Sequence, residues 1–270
     1  MKVLTKLTAA ALALAVVAPT SAMAHRAWML PSATVLSGDD SWITVDAAIS
    51  NDLFYFNHHA MAPDSIEVTA PDGTTVAKEN VAQGKFRSTF DVHLTKEGTY
   101  RLATSNENVM ARYTVDGKRG VWRGPVAKFS KDVLPKNAEN VEIRQSSRRV
   151  ETFVTLGKPS EVKPLGKGLE LVSTTHPNDL FSGESATFQV LLDGKPAQGA
   201  KVSFVAGGER YRTEPEAMNF TADGEGKLTV TWAEPGAYWV DASYEDGKTS
   251  IPEAKLRQAE YIATLEVLPQ

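Results

Sequence analysis

The chain has no cysteine in its 270 residues. That excludes disulfides, thiolate metal sites, iron–sulfur clusters and a cysteine nucleophile. A fold made from this sequence must be held by its apolar cores. Any metal it takes must be bound by histidine, carboxylate, methionine or backbone groups. Excess positive charge is also lacking: 29 basic residues stand against 33 acidic ones, a net charge of −4. The basic face that nucleic acid requires is therefore not expected. The sequence shows no Gly-x-Ser-x-Gly elbow, no His-Glu-x-x-His helix and no phosphate-cradling glycine loop. We expect no enzyme.

One apolar run stands at the very start. Met1, Lys2 and Lys6 give a positive opening, an apolar stretch follows to Ala18, and Ala22-Met23-Ala24 supplies small residues at the positions a signal peptidase reads. Residues 1–24 are the expected signal peptide, with cleavage before His25. Its removal takes away Lys2 and Lys6 and makes the chain more acidic. No later apolar run approaches the ~20 residues of a membrane span, so the mature chain should have none. The compartment expected is the periplasm. An N-terminal His25 would offer a metal both its free α-amine and its ring nitrogen.

An internal repeat organises the rest. Ser37-Gly38-Asp39 and Ser182-Gly183-Glu184 each open a β-rich run, the first ending at Val45 and the second at Val190. Each is followed by a matched pair, Gly98-Thr99-Tyr100 and Gly236-Ala237-Tyr238, similar to the tyrosine corner of immunoglobulin-like sandwiches. Short alternating runs meet turns such as Pro71-Asp72-Gly73, Asp193-Gly194 and Asp223-Gly224, where proline presets φ and glycine accepts a positive φ. The expected fold is all-β, with two immunoglobulin-like β-sandwich domains in tandem at residues 25–126 and 165–270. Residues 127–164, charged and carrying three prolines, read as an inter-domain connection containing one strand at 150–156. A short helix is expected at 253–259.

Five histidines carry the possible chemistry. His58 and His59 are adjacent, in a segment that Pro63-Asp64 marks as a loop, where both rings can turn to one ion. His93 alternates with Phe90, Val92 and Leu94 and should face outward from its strand. His176 precedes Pro177, which favours extended backbone, and could line the domain interface. Neutral imidazole is the commonest metal ligand. A site of His25, His58 and His59, completed by His93, would suit copper, nickel or zinc.

The segment His25-Arg26-Ala27-Trp28-Met29-Leu30-Pro31 resembles the His-x-x-Trp-x-x-Pro opening of a bacterial exported family. That family is a domain of unknown function often labelled as nickel- or cobalt-uptake (NikM-like) periplasmic proteins. The stretches from Leu169 to Pro177 and from Phe188 to Pro196 add to the likeness, which spans most of the mature chain. The resemblance implies a periplasmic, metal-associated β protein. The function expected is uptake or handling of a transition-metal ion, with an envelope transporter or receptor as partner. The alternative is a non-catalytic module that binds a protein or glycan at the cell envelope. A copper oxidative enzyme with an N-terminal histidine brace ranks last.

Overall fold

Alternation of side chains decides most of the strands. In Ser88–Leu94 the residues Ser88, Phe90, Val92 and Leu94 are buried and the three between them are not, the two-residue period of a strand with one face on a core. The computed structural model describes residues 25–270; the expected signal peptide, residues 1–24, lies outside the described residues.

Three sheets form. One outer sheet has the order β1-β3-β7-β6, made of β1 (Arg26–Pro31), β3 (Ser41–Ser50), β7 (Ser88–Leu94) and β6 (Lys78–Gln83), with β4 (His59–Ala60) also on β3. The other outer sheet joins β11 (Leu169–Ser173), β12 (Ser185–Leu192) and β13 (Lys195–Pro196), and β16 (Lys227–Thr231) pairs with β12. Between them runs a sheet of order β15-β14-β17-β18-β10-β8-β5. Its members are β15 (Met218–Thr221), β14 (Lys201–Ala206), β17 (Gly236–Asp246), β18 (Leu256–Val267), β10 (Glu139–Leu156), β8 (Gly98–Val115) and β5 (Glu67–Thr69). Two further strands attach to it, β2 (Val35–Leu36) on β10 and β9 (Lys118–Pro125) on β8.

The middle sheet is buried on both faces. Val150, Val154 and Leu156 of β10 enter the core under the first outer sheet, while Phe153 enters the core under the other. On β18, Ile262 belongs to the first core and Tyr261, Ala263 and Leu265 to the second. Strands covered on both faces tend to be apolar throughout; here the runs are interrupted by buried polar residues, Glu151, Thr152 and Thr155 on β10 and Thr264 on β18.

The middle sheet changes two expectations. Residues 127–164 are not only a connection, because they contain β10, which pairs antiparallel with β8 and parallel with β18. Charged residues hid its length: residues 139–149 lie mostly at the surface, so only the apolar end reads as strand. The expected helix at 253–259 is absent, since from Leu256 onward the backbone hydrogen-bonds to β10.

The two repeated segments take corresponding places. β3 is flanked by β1 and β7 as β12 is flanked by β11 and β16. Gly98 and Gly236 share an unusual backbone, φ 132° and 138°. The Tyr100 hydroxyl accepts hydrogen bonds from the Thr95 and Lys96 N–H groups (3.1 and 2.8 Å), and the Tyr238 hydroxyl donates to the Glu234 carbonyl (2.8 Å). β2 lies parallel to β10, and Phe181 bridges Leu268 in the same sense. Among the described residues no helix is long and apolar enough to cross a membrane.

Candidate functional site

Two elements bring the histidines together. His25 stands exposed immediately before β1, whose first residue, Arg26, pairs with Ser50 at the end of β3. The chain then turns through residues 51–58 and returns as β4, with His59 opposite Ile49 on the other edge of β3. The turn is tied by its own polar groups. Asn57 accepts a hydrogen bond from the Asn51 N–H (2.9 Å) and donates one to the Asp52 carboxylate (2.6 Å). Leu53 is buried, and Phe54 and Phe56 set their rings 5.5 and 5.6 Å from the Trp28 ring. The indole N–H of Trp28 donates to Ser50 Oγ (2.7 Å), and that hydroxyl donates to the Asp52 carbonyl (2.6 Å).

The result is a run of three imidazoles. The His25 and His58 rings stack 3.6 Å apart with 4° between their planes, and the His59 ring centre lies 4.7 Å from that of His58. Burial holds the His58 pKa below its ordinary value of 6.5, and the neighbouring His25 and His59 charges lower it further. His58 thus stays neutral to lower pH, the form that stacks on another imidazole and ligates metal. His59 Nδ1 lies 2.9 Å from the Ala60 carbonyl. With the proton on Nδ1, its Nε2 lone pair is free.

Proximity is not yet convergence. Face-to-face rings present their lone pairs side by side rather than toward one point, whereas a shared ion needs nitrogens aimed at it from about 2 Å. Among the described residues no group of three or more His, Asp or Glu side chains is already arranged as a metal cage. Convergence on one ion would require the His25 and His58 rings to leave the stacked arrangement; His25 is exposed and His58 partly so.

His93 is not part of this cluster. It pairs with Trp42 at the far end of β3, stacks on that indole at 4.2 Å, and sets Nε2 2.7 Å from Asp40 Oδ1. Trp42 and Ser50 are eight positions apart on β3, about 26 Å at ~3.3 Å per residue. Its outward face was legible from alternation, but the strand register that sends it to the opposite end was not. His176 serves a structural role: Nε2 lies 2.9 Å from Thr99 Oγ1 and 3.1 Å from the Ser160 carbonyl, and Nδ1 accepts from the Asn178 N–H. Burial lowers its pKa.

Sequence reasoning missed Glu209. Gly207-Gly208 reads as a turn, and Gly208 indeed takes φ 76° ahead of the 3-10 turn Glu209–Tyr211. Nothing in the sequence shows that the carboxylate of Glu209 is buried against Arg26. A separate cavity of about 310 Å³ lies away from the three histidines, between the middle sheet and β11, with Arg101, Glu151, Phe153, His176, Phe188 and Tyr261 in its wall.

The family model described as "Domain of unknown function (DUF4198)" matches residues 22–246. No curated protein matches the chain. Among solved structures, the D0-D1 domain of intimin is similar at 13% identity, covering 89% of this chain and 97% of that one, with a TM-score of 0.21. The chicken CNTN1 FN1-FN3 domains are similar at 6% identity, covering 90% and 99%, with a TM-score of 0.24. Superpositions that poor carry no inference about fold or function.

Proposed function

The chain belongs to the DUF4198 family, and from its histidine cluster we propose that it is a periplasmic metal-binding protein that takes up or handles a transition-metal ion, nickel, cobalt or copper. The observation that carries this reading is the 3.6 Å contact between the His25 and His58 rings, with His59 beside them. His25 is distant in sequence from His58 and His59, and β1 and the loop after β3 bring them to one place. Cleavage before His25, the proposed maturation step, would add the α-amine to the three ring nitrogens. A nitrogen-rich set without thiolate suits late first-row divalent ions and not calcium or magnesium, which want oxygen. An envelope transporter or receptor is the proposed recipient. The corresponding halves of the molecule are proposed to be two immunoglobulin-like sandwiches, and the protein to act by binding rather than catalysis.

The test is calorimetric titration of nickel, cobalt, copper and zinc into protein beginning at His25. We expect one ion per chain and at least a tenfold loss of affinity in His25→Ala and in the His58→Ala/His59→Ala double variant. Equal binding in all three proteins would overturn the shared site.

One observation favours a second reading, a non-catalytic module that binds a protein or glycan: the cavity beside Glu151 joins aromatic walls to buried polar groups. Saturation-transfer NMR with neutral monosaccharides would separate it from the first, because no metal is needed for that signal.

A further inference from the structure

A single carboxylate from the second half of the chain lies between the two elements that carry the histidines. Glu209 follows β14 and is buried. Its Oε2 accepts a hydrogen bond from Arg26 Nη1 (2.8 Å), and its Oε1 accepts from Arg26 Nη2 and from the Leu53 N–H (2.7 Å). Arg26 adjoins His25, and Leu53 belongs to the turn that ends at His58. Arg26 Nη2 also donates to the Asn51 carbonyl (2.6 Å). A second clamp lies close by, where the Arg210 guanidinium stacks over the Tyr55 ring at 3.8 Å. The backbone beneath is so near that a Cβ on Gly207 would stand 3.1 Å from the Phe54 ring.

We propose that Glu209 is a positioning residue for the histidine cluster, so that the metal site of the first half is assembled only against the second. The proposal rests on the metal-binding reading for its ion, while the positioning itself can be read without metal. As a stability device the pair is a poor choice. Burying two charges costs much of what their attraction returns, and apolar residues in the same space often do as well. Arg26 Nε is moreover left buried with no hydrogen-bond partner among the described residues. What a bidentate guanidinium–carboxylate fork adds is fixed geometry. Here it fixes one strand start and one turn relative to each other, and the His25–His58 contact depends on that relation. By linkage, an ion that needs this arrangement tightens the contact between the halves as much as the contact tightens the ion.

The experiment compares wild type, Glu209→Gln and Arg257→Gln, all beginning at His25. Arg257 forms ion pairs with Asp193 and Asp246 outside the cluster and controls for general loss of stability. Two readouts are taken: the ring-to-ring nuclear Overhauser effect between His25 and His58 without metal, and the nickel dissociation constant. In Glu209→Gln the Overhauser effect should vanish and nickel binding should weaken at least tenfold. Arg257→Gln should lower the melting temperature and leave both readouts in place. If Glu209→Gln does not fold, Arg210→Ala, which removes the exposed clamp, should weaken the same contact. An unchanged Overhauser effect in a folded Glu209→Gln or Arg210→Ala protein overturns the positioning role, whatever nickel does. Loss of the contact in a protein whose wild type takes no nickel upholds the positioning and overturns the metal reading.

Discussion

Protonation at His58 should be visible in the stability of the whole chain. Its folded pKa lies below the ordinary 6.5, first through burial and then through His25 and His59. The unfolded state therefore binds more protons as pH falls through and below 6.5, and stability is lost over that window. His176, lowered by burial, acts with the same sign. Asp241 opposes them. Burial and the Glu260 charge push its pKa up to about 7, Arg148 offsetting part of the rise. The folded state holds that proton more tightly, so stability contributed by Asp241 is present at low pH and lost as pH rises toward 7. Melting temperatures between pH 7.5 and 5.5 should fall less steeply in His58→Ala than in wild type, and more steeply in Asp241→Asn. Parallel curves for all three proteins would contradict both assignments. At this scale the sequence was partly legible. It put His25, His58 and His59 in one set from residue type and loop context. It misplaced His93, whose partner is fixed by register, and it was silent on Glu209, whose importance comes from burial across 183 positions of chain.

At the scale of the element, the repeated Gly-x-Tyr starts of β8 and β17 offer an internal comparison. Gly98 and Gly236 adopt nearly the same φ, 132° and 138°, a region that L side chains rarely enter. Their surroundings differ. A Cβ on Gly98 would meet Pro71 at 2.6 Å, whereas one on Gly236 meets nothing within 4 Å. Gly236→Ala should therefore cost only backbone strain, about 1–3 kcal/mol. Gly98→Ala should cost that plus overpacking, a further ~1–3 kcal/mol. Urea unfolding of the two variants measures the difference, and equal losses would show that Pro71 yields at no cost. The glycines, tyrosines and turn residues made these elements readable because local backbone requirements are written in residue type. The extent of β10 and the strand at 256–267 were not readable. Their polar stretches are held as strands by backbone pairing with each other, a contact between segments more than 100 positions apart.

For the whole molecule, the shared middle sheet means that neither core is closed by its own half alone. Phe153 shows this most directly. It sits on β10, whose neighbours Val150 and Val154 complete the first core, yet its ring packs in the second with Phe188, Phe204 and Trp232. Truncation of a buried phenylalanine costs about 3–5 kcal/mol. In a molecule with independent sandwiches, that loss would fall on the second half. Here β10 also holds β8 by an antiparallel ladder and β18 by a parallel one, so the two cores share the strand that moves. Phe153→Ala should therefore speed amide hydrogen exchange in β7 of the first outer sheet as well as in β16 of the second, and thermal unfolding should remain a single transition at a lower temperature. Faster exchange confined to β16 and its neighbours, with a second transition separating from the first, would mean that the halves are joined by pairing but unfold independently. It would also weaken the case that a carboxylate of one half can hold the histidines of the other.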